Sequence, residues 1–331
     1  MPHATCLVLA FLLLAPGHQD APPPASHDSP TRAVAPAIIQ NLPLDESLRG
    51  KLQSSMDRHD YSSAEVLLVE ELNRNPKSHD LLVFLASVSF LNGNYLNTAI
   101  ATKKAEVLGP ISTRDRFTLA MAYVALERPD WARPELEKLA HSGDNNPLYP
   151  YWLSRLDYND MNFTSSLSNA HEAIKTDPAF MRGYDSLGLS YEAIGDFENA
   201  IKSFRTAAEL NRKDKTPSPW PSMNLGRVLI KLNQLDEAEA SLKESLSYDP
   251  RFPQAHFQLG LLLEKANRNE DAIRELQQAA EFDPSYPEPH FALGRVFKRL
   301  GEDQKAEQAW ATFQELKRNK SKDAKLRKQS R

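Results

Sequence analysis

Between residues 45 and 320 the apolar side chains recur three and four residues apart, the spacing that turns one face of an α-helix toward a core. Leu225, Val228, Leu229 and Leu232 show it within one stretch. The helical stretches come in pairs, and the pairs repeat. Four segments of the C-terminal half align directly. The first carries Tyr184, Leu187-Gly188, Tyr191, Gly195, Ala200, Phe204 and Ala207, and the second Leu225-Gly226, Leu229, Ala238, Leu242 and Pro250. The third carries His256, Leu259-Gly260, Leu263, Ala272, Leu276, Ala279 and Pro284, and the fourth His290, Leu293-Gly294, Phe297, Gly301, Ala306 and Trp310. The last three Leu-Gly pairs stand 34 residues apart, whereas Gly188 and Gly226 are 38 apart, which places a four-residue insertion near residues 213–217.

Carried backwards, the 34-residue frame keeps its register through the N-terminal half. It places Pro178, Pro110 and Pro76 at one equivalent position, and Leu153-Ser154, Leu119-Ala120 and Leu85-Ala86 at the Leu-Gly position. Repeats then start near residues 45, 79, 113, 147, 181, 219, 253 and 287. Small residues recur where two helices approach closely, and proline recurs at a helix entrance, where a missing N–H is tolerated. A helix pair of this size cannot bury its apolar face alone, so neighbouring pairs must stack.

These residues resemble the tetratricopeptide repeat, a helix–turn–helix unit of 34 residues with Leu-Gly at positions 7–8, Ala at 20 and 27, an aromatic at 24 and Pro at 32. The resemblance implies an all-α, right-handed superhelical solenoid of about eight repeats over residues 45–320. The first repeat lacks Leu-Gly, having Lys51-Leu52 there, and the fourth carries Pro150 and Asp157 at positions 4 and 11. Pro134 falls inside the second helix of repeat three and is expected to kink or delay it. The insertion near residues 213–217 is expected to loosen the stacking of repeats five and six.

The resemblance also implies a concave groove lined by positions 2, 5, 6, 9, 12 and 13 of each first helix. Transferred residue by residue, the partner-binding candidates are Phe90, Phe117, Met121, Tyr151, Trp152, Arg155 and Tyr158, followed by Asn224, Arg227, Phe257, Arg295, Lys298 and Arg299. An aromatic stretch leads into a basic one, and aromatic and Arg side chains are the usual binding hot spots. The expected ligand is a peptide whose acidic or C-terminal carboxylate meets Arg295 or Arg299. Phe84 and Trp152, both at position 6, have packing between neighbouring repeats as an alternative role. No three successive repeats carry the Lys and Asn set of the chaperone-binding members, so capture of a chaperone tail is not implied.

The ends change the picture. Residues 6–15 are an apolar run followed by Pro16 and Gly17, the form of a signal peptide over residues 1–17. Eight of the 23 prolines fall in the first 44 residues, and residues 18–44 read as a Pro-rich disordered linker. The last 15 residues hold eight Lys or Arg and one acid, a net +7 against −4 for the whole chain, so the remainder carries −11. Residues 321–331 form the basic C-terminal tail, which points to an anionic surface or simply to a solvated end.

Of 331 residues, 41% are hydrophobic and 25% charged, enough for a core. Mean hydropathy is −0.53, which excludes a polytopic membrane protein. The single cysteine, Cys6, excludes internal disulfides and cysteine-built metal sites. The histidines do not cluster, and His256 and His290, both at position 4, read as packing residues. No nucleophile elbow, phosphate loop or dinucleotide fingerprint occurs, so no catalytic residue, cofactor or metal is assigned. The function that follows is a non-catalytic protein–protein interaction scaffold in cell-envelope assembly or secretion, exported to a periplasm or beyond. Two alternatives stand: an adaptor to lipid, lipopolysaccharide or nucleic acid through the basic tail, with protein favoured over nucleic acid as partner, and a glycan-binding, small-ligand-binding or enzymatic protein using the aromatic groove.

Overall fold

The computed structural model of the chain describes residues 35–329, and the side-chain surroundings of residues 38–322. The described residues are helical with short turns and divide into two compact units at Asn145 and Asn146. Unit 1 opens with α1 (Ala35–Asn41) and continues as three helix pairs: α2 (Glu46–Asp57) with α3 (Tyr61–Arg74), α4 (His79–Leu91) with α5 (Tyr95–Leu108), and α6 (Thr113–Ala125) with α7 (Pro129–Ala140). Unit 2 has five pairs. They are α8 (Leu148–Asn159) with α9 (Phe163–Thr176), α10 (Met181–Ala193) with α11 (Phe197–Asn211), α12 (Trp220–Lys231) with α13 (Leu235–Tyr248), α14 (Pro253–Lys265) with α15 (Asn269–Phe282), and α16 (Glu288–Arg299) with α17 (Asp303–Gln329). Within each unit, a second helix packs on its own first helix and on the first helix of the next pair. Each unit is therefore a helix–turn–helix solenoid.

The turn inside each pair is built the same way eight times among the described residues. His59, Gly93, Glu127, Met161, Gly195, Asn233, Asn267 and Gly301 all have φ between 55° and 81°. Each is the fifteenth residue of its repeat in the 34-residue frame. The following N–H reaches back to the carbonyl five residues earlier, as from Asn94 to Ser89 at 2.8 Å and from Glu302 to Phe297 at 2.9 Å. This left-handed closure satisfies carbonyls that the first helix leaves open. The second helix then starts on a side-chain cap in several repeats: Asp60, Asn94, Asn162 and Asp196 accept from the N–H groups of Ser63, Asn97, Ser165 and Asn199.

Close approach inside the pair explains the Leu-Gly signature. A Cβ on Gly188 would stand 2.5 Å from the Phe204 ring, and one on Gly226 or Gly260 would meet Leu242 or Leu276 at 2.7 and 2.6 Å. In repeat four the same place holds Ser154 opposite Ala170, and hydroxyls fill the contact. Ser154, Ser166, Ser186 and Ser190 are all buried and bonded in a chain, with Ser166 Oγ 3.1 Å from Ser154 and 2.7 Å from Ser190. In unit 1 the Glu65 carboxylate accepts hydrogen bonds from Ser89 and from the amides of Asn92, Asn94 and Asn97, tying α3 to the α4–α5 turn. Burial pushes its pKa up, and these four donors more than reverse that, leaving it below the ordinary value.

Several features differ from the sequence reading. The linker expected to reach residue 44 ends earlier: α1 is helical, and Ile39, Leu42 and Leu44 are buried with Leu52, Leu68 and Phe84, because these three aliphatics close the open end of repeat one. α7 starts at Pro129 and runs through Pro134 without delay. As the sixth residue of the helix, that proline removes only one intrahelical bond. The insertion is clasped: the Asn211 side chain donates to the Ser218 carbonyl and accepts from the Ser218 N–H, each at 2.8 Å. Nothing there holds the repeats apart, since α11 and α12 remain in contact. The signal-peptide assignment lies outside the described residues. So does the end of the basic tail, although α17 carries the backbone as a helix to Gln329.

His256 shows how a consensus aromatic is replaced. Its ring stands 5.3 Å from that of Phe282, its Nδ1 lies 2.7 Å from Glu275 and its Nε2 lies 3.0 Å from the Pro250 carbonyl. Burial alone lowers its pKa; the bonds to Glu275 and Pro250 outweigh burial and raise it. A raised folded value means that the native state holds this proton more tightly. The stabilisation is therefore present below the unfolded value near about 6.5 and fades as pH rises through the folded value. His290, whose pKa burial lowers, contributes with the opposite sign.

Gly188→Ala forces a methyl group into the Phe204 ring and is expected to lower unfolding free energy by about 1–3 kcal/mol. Met161→Gly relieves a left-handed, exposed non-glycine turn residue and is expected to raise it by about 0.5–1 kcal/mol. Urea titrations with matched m-values check both. His256→Phe keeps the ring packing; the difference in stability between the unaltered chain and this variant should shrink between pH 6 and pH 8 (~2 pH units about the ordinary His value), read from urea midpoints across that range.

Candidate concave binding surface

Three first helices of unit 2, α8, α10 and α12, bring a buried polar network to their shared face. Asn224 donates to Asp185 at 2.9 Å, and Arg227 and Lys231 both reach Glu192 at 2.6 Å. Burial raises the pKa of Asp185; the Asn224 bond and the Arg155 and Arg227 charges oppose that only in part. The pairing recurs further along. Arg295 and Arg299 of α16 reach Glu264 of α14 at 2.6 and 2.9 Å, and Lys265 donates to the Ile230 carbonyl at 2.9 Å. In the repeat frame this is one rule: an acid at position 12 is held by cations at positions 9 and 13 of the next repeat. Each carboxylate is almost wholly covered, while its arginines remain partly accessible.

The thirteen sequence candidates divide by burial. Met121, Trp152, Arg155, Asn224 and Phe257 are buried, with at most 7% exposure. Trp152 thus takes the packing role that was its alternative, as does Phe84. Phe90, Phe117, Tyr151, Tyr158 and Arg227 are half-buried. Phe90 meets Tyr95 edge-on at 5.5 Å, Tyr151 meets Phe180 at 5.6 Å and Tyr158 meets Phe163 at 5.6 Å. Arg295, Lys298 and Arg299 are exposed. Phe90, Phe117 and Met121 belong to unit 1 and the other ten to unit 2, so each unit presents its own surface.

The basic end differs from the expectation in a second way. Arg295 and Arg299 already have an acceptor in Glu264, and Lys298 pairs with Asp303 at 2.8 Å. A ligand carboxylate at these arginines shares them with Glu264 rather than meeting free cations. Phe291 was missed. It is 43% exposed, lies 5.6 Å from the Arg295 guanidinium and 5.1 Å from the Phe313 ring, and occupies position 5, which the groove register itself names. Nearby, burial pushes the Tyr286 hydroxyl well above its ordinary pKa, and its ring meets Phe257 edge-on at 5.3 Å. Among the described residues no three His, Cys, Asp or Glu side chains converge as a metal site.

Comparison with known proteins bears on the fold. Residues 182–214 and 223–287 each match the tetratricopeptide repeat family. Over 53 residues the chain is 32% identical to heat shock protein STI1 of Saccharomyces cerevisiae, a match covering 16% of this chain and 9% of that protein. The structure resembles a chain of the APC/C hetero-tetramer Cut9-Hcn1, with TM-score 0.60, 16% identity, and coverage of 74% of this chain and 48% of that one. It also resembles PilW, a type IV pilus biogenesis factor, with TM-score 0.56, 20% identity, and coverage of 61% and 92%. At these identities the structural likeness is one of fold. Eight helix pairs with one left-handed turn position, and two direct family matches within them, make this chain a tetratricopeptide-repeat protein.

Proposed function

We propose that this chain is a non-catalytic scaffold that holds a partner protein segment on the concave surface of unit 2, anchored at α16. The tetratricopeptide fold supports the general role of protein–protein interaction. One observation carries the specific site: Phe291, Arg295 and Arg299 stand together on α16, each roughly two-fifths exposed, beside a Glu264 that is covered. An exposed aromatic next to half-paired arginines is the composition of a binding hot spot. The segment it suits has an apolar side chain next to an acidic one: the apolar group stacks on Phe291, and the acid shares the guanidinium donors.

Export to a cell envelope is part of the proposal and rests on the apolar run of residues 6–15 and the Pro16-Gly17 that follows. A second reading has its own observation. α17 runs 27 residues against 12 to 15 for the other second helices, and Lys317, Arg318, Lys320 and Lys322 are exposed on it without an ion pair among the described residues. That surface suits an anionic partner.

In-cell crosslinking with mass spectrometry separates these readings. A partner captured by the intact chain should be lost from Phe291→Ala, Arg295→Glu, with unchanged helical circular dichroism. Glu264→Gln, which releases both arginines, should retain or strengthen capture. Unchanged capture by the first variant rejects the α16 site, and loss only on truncation after Asn319 selects the α17 reading. Export predicts a mature protein beginning near His18, and N-terminal sequencing of protein from its native cell checks that.

A further inference from the structure

α1 lies against concave-face positions of unit 1. Its Ile38 lines a narrow seam, about 10 Å³ in volume, together with Met56, Phe84, Ser87, Leu91 and Arg114, with Val88 completing the wall. In the 34-residue frame those five residues hold positions 12, 6, 9, 13 and 2, all of them concave positions. The segment that follows is tied down at one point: the Arg49 guanidinium donates to the carbonyls of Leu42 and Leu44 at 3.3 and 2.9 Å. At the seam, the Arg114 Nε is shut off from solvent and has no hydrogen-bond acceptor. An unpaired buried donor is costly and marks a place where an acceptor is still wanted.

The helix that fills this place is weakly built. It has seven residues and no acid in its first turn. A helix of that length is not stable by itself, so packing alone holds it. That packing rests on Ile39, which is fully buried, and on Ile38, which is half-buried.

We propose that α1 is a removable cis occupant of the concave surface of unit 1, and that this surface fits a short helix presenting two adjacent aliphatic side chains, as Ile38-Ile39 do, with an acceptor for Arg114. The proposal extends the reading of concave faces as binding surfaces from unit 2 to unit 1. Tethered at Leu42–Leu44, α1 competes at high effective concentration, so an outside segment binds only in proportion to the time α1 is away.

The test uses the full chain and a fluorescent peptide of residues 34–44. The unaltered chain should bind the peptide at least tenfold more weakly than the Ile38→Asp, Ile39→Asp chain, in which the cis helix is disabled. Adding Ser87→Arg to that variant should abolish the binding. Equal binding to the unaltered and disabled chains overturns the proposal, as does absence of saturable binding to a disabled chain that keeps its circular dichroism and melting curve. Hydrogen exchange on the unaltered chain decides independently of any variant. The amides of residues 39–42 should exchange at least tenfold faster than those of residues 85–89 in α4; equal protection makes α1 permanent core and overturns the proposal. No outside partner enters either measurement, so failure here and failure of the α16 site are distinguishable.

Discussion

The rest of the structure depends on one contact, the close approach of the first and second helices of each repeat at positions 8 and 24. Where position 8 is glycine, position 24 is large: Phe204, Leu242, Leu276 or Trp310 lies on the glycine backbone. Where position 8 keeps a side chain, position 24 is smaller in two repeats, Ser154 with Ala170 and Ala86 with Thr102, and is leucine in the other two, Ala120 with Leu136 and Leu52 with Leu68. Interiors are packed to near-crystalline density, so a large side chain lying on the glycine backbone leaves no room there for an extra methyl group. This contact sets the angle of each helix pair. The angle in turn determines which first-helix positions face the next repeat and which face outward.

The same geometry explains the charged ladder. With first helices side by side, position 12 of one repeat falls between positions 9 and 13 of the next, and in unit 2 the chain places an acid in the first and cations in the other two. Glu192 with Arg227 and Lys231, and Glu264 with Arg295 and Arg299, are the two complete cases. Covered charges are expensive to desolvate and contribute little net stability, but leaving one unpaired is destabilising. Such pairs favour the native register of one repeat on the next over a slipped one. They also hold the arginines extended along the surface, with part of each guanidinium still open.

The first repeat of unit 1 and the last repeat of unit 2 are finished differently. Ahead of repeat one, α1 supplies Ile39, and Leu42 and Leu44 follow it into the core. In repeat eight Phe291, Arg295 and Lys298 are exposed, and α17 continues as a helix to Gln329. Of the thirteen groove candidates, the exposed ones, Arg295, Lys298 and Arg299, all lie on α16, and those of the earlier repeats are buried or half-buried.

The amino-acid sequence determined the period, the register and the helix pairs. These rest on local physics: apolar spacing, a small residue at one place and a left-handed turn at another. Even so, the turn is filled by His59, Glu127 and Met161 as well as by glycine and asparagine, so its regularity shows in φ and not in residue type. The groove was legible as a set of positions, and that set contained Phe291 unremarked. What the register could not show is which of those positions are covered. Trp152, Arg155, Asn224 and Phe257 are buried, Arg295 and Arg299 are met by Glu264 about one repeat away, and Ile39 is drawn out of a Pro-rich segment into the core. Only the tertiary structure decided these, because burial and ion pairing between repeats depend on side chains some 30 residues apart, whose approach no local pattern records.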